Sequence, residues 1–161
     1  MKKKKIQKTN AMRQLEKEKI DYTIHEYAWN EDNLDAGNAA EQVTVPFEKI
    51  YKTMVATGNQ TGELVACIPA EAKLDLKKLA AVSGNKKVDM LNIRDLEKTT
   101  GYIRGGCSPV GMKRQFPTYI ASDAESLDTI VVSAGKRGMQ MELSPDELIQ
   151  ITSGEYADIT L

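Results

Sequence analysis

Between Gly101 and Gly111 the chain reads Gly101-Tyr102-Ile103-Arg104-Gly105-Gly106-Cys107-Ser108-Pro109-Val110-Gly111, and four glycines with a proline in eleven residues cannot be there to fill a core. Such a segment exposes its backbone. The adjacent Gly105 and Gly106 lack the Cβ atoms that keep a ligand away from main-chain N–H groups, and they permit positive φ, so successive amides can converge on one oxygen. Pro109 stiffens the exit. An ordinary glycine-rich turn between two structured elements has the same composition, so the neighbours of this loop must decide between a binding loop and a connection.

Those neighbours belong to a chain of 161 residues, enough for one domain with a single core, and no break in composition calls for two. No run approaches the roughly 18 apolar residues of a membrane span. The cluster Lys2 to Lys5 is followed by polar sequence instead of the apolar segment a signal peptide requires, so residues 1–8 are expected to form a flexible basic start in a cytoplasmic protein. Cys67 and Cys107 lack CxxC spacing and the chain has one histidine, which argues for two reduced thiols and against a zinc site; no metal or cofactor is expected. The formal net charge of −1 excludes a domain that coats nucleic acid through overwhelming positive charge. Local basic clusters at Lys2 to Lys5, Lys113-Arg114 and Lys136-Arg137 either meet phosphates or are solvated surface charge.

Helical and extended patterns interleave along the chain. A short amphipathic helix is expected over Thr9 to Lys19, with Met12 and Leu15 inward, then a strand from Tyr22 to Tyr27, a loop over 30–35 and a helix over 38–43. Ile50 to Ala56 and Leu64 to Ile68, separated by turn-forming residues, read as a hairpin. Asp75 caps a helix that Gly84 ends, Lys87 to Leu91 is a short strand, and a helix over Arg94 to Thr99 leads into the glycine loop. Strands follow at Thr118 to Ala121, Thr129 to Ser133 and Met139 to Leu143, the last two forming a hairpin with a basic tip. Ser144-Pro145-Asp146-Glu147 then opens a helix that Gly154 terminates. Helices scattered among hairpins, without a regular β-α-β rhythm, indicate an α+β fold with a mixed sheet and helices around it; the two-residue periodicity does not decide whether the sheet closes.

Nucleophilic machinery is hard to assemble from these residues. The single histidine, His25, lies in a strand with no G-x-S-x-G motif near it, and reads as a structural or surface residue before it reads as a base. Cys107 sits beside Arg104, but nothing supplies a base to activate it. Lys52 is different. It lies within the β-prone run Ile50 to Val55, and strand alternation places it on one face with Ile50 and Met54, opposite Tyr51, Thr53 and Val55. A lysine there either points to solvent on an edge strand or enters a pocket that needs its charge.

Tyr27, then Tyr51-Lys52-Thr53, then Thr100-Gly101-Tyr102 with Gly105-Gly106, Pro109 and Gly111, then Val132-Ser133-Ala134-Gly135-Lys136-Arg137-Gly138 follow in the order of the YbaK/EbsC family of aminoacyl-tRNA deacylases. The chain resembles that family over nearly its whole length, and within it the EbsC-like Cys-tRNA(Pro)/Cys-tRNA(Cys) deacylases, relatives of the prolyl-tRNA synthetase editing domain. The resemblance implies one mixed α/β domain around a curved, barrel-like sheet that removes a wrong amino acid from the tRNA terminus. It assigns Lys52 as the functional lysine, Tyr27 and Thr53 as neighbours of the terminal nucleotide, and Gly105, Gly106, Ser133 and Gly135 to the loops around the aminoacyl group. Ala134 stands where the family's turn often carries glycine.

Joined to the physics, the resemblance gives an expected mechanism. Gly105 and Gly106 amides stabilise the oxyanion, Lys52 holds the 3′ end, and the thiol of a cysteinyl substrate attacks its own carbonyl to give a cyclic thiolactone. The expected partners are aminoacylated tRNA and prolyl-tRNA synthetase, with the chain a monomer or homodimer. A noncatalytic tRNA-binding protein and a deacylase for alanine or another small residue are the alternatives.

Overall fold

The computed structural model describes residues 7–27 and 45–161. The Lys2 to Lys5 cluster, the loop expected over 30–35 and the helix expected over 38–43 lie outside the described residues. In chain order the elements are α1 (Asn10–Lys17), β1 (Thr23–Glu26), β2 (Tyr51–Gly58), β3 (Gly62–Pro69), α2 (Leu76–Ser83), β4 (Val88–Met90), α3 (Ile93–Thr100), β5 (Thr118–Ala121), β6 (Ile130–Lys136), β7 (Met139–Leu143), α4 (Pro145–Thr152) and β8 (Glu155–Ala157). Short 3₁₀ turns at Phe47–Lys49 and Ser122–Ser126 were not expected, nor was β8, whose three residues are too few to show a period.

The expected hairpin forms the centre. β2 and β3 pair antiparallel from Tyr51 opposite Pro69 to Gly58 opposite Gly62. β3 is covered on both faces: Leu64, Val65, Ala66, Cys67 and Ile68 are all buried, which is why the run is apolar without alternation. Around the hairpin a five-stranded sheet runs β4-β2-β3-β5-β8, antiparallel on the β4 side and parallel through β5 and β8. A second, antiparallel sheet runs β1-β7-β6. The two touch where Ile50, just before β2, bridges Val131 of β6. The fold is therefore α+β with mixed sheets, as expected, but among the described residues the strands do not close into a barrel.

Capping sets the helix ends. Asp75 accepts from the backbone N–H groups of Lys77 and Lys78, and Gly84 ends α2 in the left-handed conformation. Ser144 accepts from the Glu147 N–H at 3.4 Å and Pro145 opens α4. The end of α4 differs from expectation: Ser153, at φ 54°, takes the left-handed position, whereas a Cβ on Gly154 would lie 2.9 Å from the Thr118 carbonyl oxygen. Thr9 caps α1 and also donates to the Ala134 carbonyl, clipping the helix to β6 while Ala11, Met12 and Leu15 enter the core. No helix among the described residues is long and apolar enough to cross a membrane.

Candidate active site

Five segments distant in sequence line one cleft of about 370 Å³. Tyr27 follows β1; Lys52 and Thr53 come from β2; Met90, Leu91, Ile93 and Leu96 come from β4 and α3; Arg104, Gly105 and Cys107 come from the glycine loop; Ser133 and Gln140 come from β6 and β7. Lys52 and Gly105 thus share a cavity, the juxtaposition that the oxyanion scheme requires. Lys52 is half-buried in β2 opposite Ile68.

Register explains the side near β7. Ser133 and His25 both stand opposite Gln140, so these three side chains share one face of the smaller sheet. The Tyr27 backbone N–H donates to Gly138 O at 2.9 Å, and its hydroxyl makes a long 3.4 Å contact to Gly105 O. Burial raises the Tyr27 phenol above its ordinary value, so it remains a neutral donor. The Thr53 hydroxyl faces Cys67 Sγ at 3.9 Å.

Two expected site residues serve the cleft from behind. The Gly106 N–H closes a turn onto Ile103 O at 2.9 Å, so it is not aimed at a substrate oxygen, and Gly106 does not line the cleft. Of the two glycines, Gly105 is the one among the cleft-lining residues. Gly106 is needed for close approach instead, since a Cβ there would sit 2.9 Å from the Arg137 backbone nitrogen. Arg137 Nε reaches back to Arg104 O at 2.8 Å, strapping the basic tip of the β6–β7 hairpin to the glycine loop. Gly135, at φ 97°, donates to Ser133 Oγ at 3.2 Å and faces Tyr102, whose ring atom would be 2.8 Å from an added Cβ. Gly135 lies outside the cleft lining and fixes the orientation of Ser133.

The nucleophile inventory is narrow. Burial pushes the thiols of Cys67 and Cys107 up to about 12, keeping both protonated at neutral pH. His25 is not in the cleft lining; its Nε2 lies 2.8 Å from the Glu142 carboxylate. The Thr129 hydroxyl donates to the same carboxylate and, with His25 second, holds the Glu142 carboxyl below its ordinary value. Among the described residues no group of three or more His, Cys, Asp and Glu side chains is placed to hold a metal ion.

Sequence reasoning missed the apolar wall from Met90 to Leu96, the Arg104 side of the mouth and Gln140. The strand and the helix that carry the first were expected, but that their apolar residues meet β2 and the glycine loop is set by tertiary packing and not by either element's own period. Gln140 left no signal, because Met139-Gln140-Met141-Glu142-Leu143 alternates apolar and polar residues as any half-buried strand does.

Residues 31–151 match the family described as the aminoacyl-tRNA editing domain. EbsC of Enterococcus faecalis, a candidate Cys-tRNA(Pro)/Cys-tRNA(Cys) deacylase, is 57% identical over 159 residues, covering 99% of this chain and 97% of its own length. YwhH of Bacillus subtilis, an uncharacterized protein, is 26% identical over 137 residues, 80% of this chain and 87% of its own. Among solved structures, a candidate trans-editing enzyme for prolyl-tRNA synthetase superposes with a TM-score of 0.76 at 23% identity, covering 87% of each chain. The hypothetical protein APE2540 superposes with a TM-score of 0.85 at 20% identity, over 95% of this chain and all of its own. Both structural likenesses concern the fold.

Proposed function

This chain belongs to the aminoacyl-tRNA editing domain family, and from that premise we propose that it deacylates mischarged tRNA in trans, with Cys-tRNA(Pro) and Cys-tRNA(Cys) as substrates. The observation that carries this reading is the meeting of Lys52, Thr53, Tyr27, Gly105 and Ser133 in one cleft. The 57% identity with the Enterococcus relative supports the choice of cysteinyl esters.

In this scheme Lys52 neutralises phosphate or ribose charge and holds the 3′ end, with Tyr27 and Thr53 beside the terminal nucleotide. The substrate thiol attacks its own ester carbonyl. The Gly105 amide meets the oxyanion that forms. Collapse breaks the bond to the ribose 3′-oxygen, which takes the proton the thiol gave up, leaving a cyclic thiolactone and free tRNA. The absence of a charged enzyme thiolate supports a nucleophile brought by the substrate: Cys107 reaches the cleft, but its thiol stays protonated. Ser133 accepts from the Gly135 N–H, and His25 lies outside the lining, so among the described residues that hydroxyl is not set against the histidine as a base. Prolyl-tRNA synthetase, which generates the mischarged tRNA, is the proposed supplier.

Parallel assays on tRNA(Pro) charged with cysteine, serine or alanine test this. Turnover of the cysteinyl ester alone is expected, because serine has nearly the same shape and lacks the thiol. Equal turnover of the seryl ester would replace substrate-thiol attack with water, turnover of the alanyl ester alone would reassign the substrate, and binding without turnover of any ester would leave a noncatalytic tRNA-binding protein.

A further inference from the structure

A groove outside the cleft carries charge that the deacylation scheme does not use. It has a volume of about 370 Å³ and lies between α1 and the base of the glycine loop, where the Lys113 N–H donates to Thr100 O at 2.9 Å. Arg13 and Lys17, one helical turn apart on the same face of α1, form one side, and Lys113 forms the other. A second recess shares Lys113 and extends the groove to Arg114, whose guanidinium rests 5.2 Å from the Phe116 ring centre. These four cations are exposed, and no carboxylate among the described residues lines either recess, in a chain whose charges otherwise nearly balance. Among the described residues none of the four is paired with a carboxylate; Glu16 of α1 is held by Lys8 at 2.9 Å. Lys113 Nζ donates to Lys98 O at 3.0 Å, which leaves two of its three N–H donors for a phosphate.

We propose that this groove holds phosphates of the tRNA 3′ strand a few nucleotides back from the acylated end. The inference rests on the deacylase reading above and gives that substrate a second point of attachment. The glycine loop links the two places, since Gly101 lines the groove and Gly105 lines the cleft. Four residues span no more than about 14 Å, and a stacked strand rising about 3.4 Å per nucleotide covers that distance in about four. An RNA whose terminal ribose is held at Lys52 thus has phosphates to place in the groove. The adjoining recess at the end of α1 shares Lys17 but is lined by Glu18 and Glu147, whose charge repels phosphate and bounds the track on that side. Lys17 also stands in the last turn of α1, where a cation suits the helix dipole, a role that leaves the salt dependence of RNA binding untouched.

Fluorescence anisotropy with uncharged tRNA(Pro) tests the groove independently of turnover. The double variant Arg13→Gln/Lys17→Gln is expected to weaken binding about 10-fold at about 50 mM salt, and to lower the slope of log affinity against log salt by about 1.5 to 2. Lys113→Gln, on the opposite wall, is expected to lower that slope by about 1, and it carries the test if the α1 variant does not fold. Deacylation reports the placement. The variants should raise KM for Cys-tRNA(Pro) and leave kcat within about twofold, and turnover of 3′-O-cysteinyl adenosine, which has no upstream phosphate, should also stay within about twofold. Unchanged affinity and slope would overturn the proposal. So would an equal loss on the adenosine ester, which would place the damage in the fold or the cleft. If the unsubstituted protein turns over neither ester while the salt slope still falls in the variants, the groove stands and the deacylase reading fails.

Discussion

At the scale of single residues, the chemistry divides between a lysine that is exposed to the cleft and thiols that are not available. Lys52→Ala is expected to reduce Cys-tRNA turnover by about 100-fold or more, since it removes the one cation that β2 contributes to the cleft wall. Cys67→Ala and Cys107→Ala are expected to leave turnover within a few-fold, and native protein at pH 8 should resist alkylation, both thiols being held near 12 by burial. Single-turnover deacylation and mass-detected iodoacetamide labelling read these outcomes, and a dead but folded Cys107→Ala would favour an enzyme thiol. Lys52 was legible because a lysine in an apolar strand needs a reason. Gln140 was not legible, because its polar position in the alternating run Met139 to Leu143 is what a solvent-facing strand residue would show, and only the packing of the smaller sheet brings it to the cleft lining.

At the scale of elements, most end signals were read well because their chemistry is local, the exception being the end of α4, where Ser153 instead of Gly154 takes the left-handed position. Asp75, Gly84, Ser144 and Pro145 act through bonds to residues at most four positions away, so the helices they bound were legible from spacing. The role of Gly106 was not, because its amide is consumed by Ile103 while its missing Cβ is required by Arg137, a contact across more than thirty positions of chain. The glycine loop and the β6–β7 tip therefore work as one unit, with Tyr102 between them and its hydroxyl donating to Val110 O at 2.7 Å. Gly135→Ala puts a methyl against the Tyr102 ring and strains a left-handed φ, and is expected to cost about 1–3 kcal/mol in urea unfolding. An unchanged midpoint would show that Tyr102 can move aside.

At the scale of the whole molecule, the mixed α+β class followed from the interleaving of patterns, whereas the division into two sheets depends on which edges meet and left no trace in periodicity. The smaller sheet carries its own polar clasp, in which Glu142 joins His25 on β1 to Thr129 before β6. The folded state favours the ionised carboxyl, so its contribution is present above the ordinary value of 4.5 and disappears as pH falls through the lowered native value. Glu142→Gln is accordingly expected to melt at a lower temperature than the unsubstituted protein at pH 7, with the gap closing toward pH 3; a gap independent of pH would assign the effect to packing. The Ile50–Val131 bridge has a different consequence. Because Lys52 and Ser133 ride on strands that adjoin through this seam, a change in the bulk of either bridging residue alters the gauge of the opening between them. Lineages that drift at the seam can thereby trade one acyl cargo for another while every group that handles the bond is inherited intact.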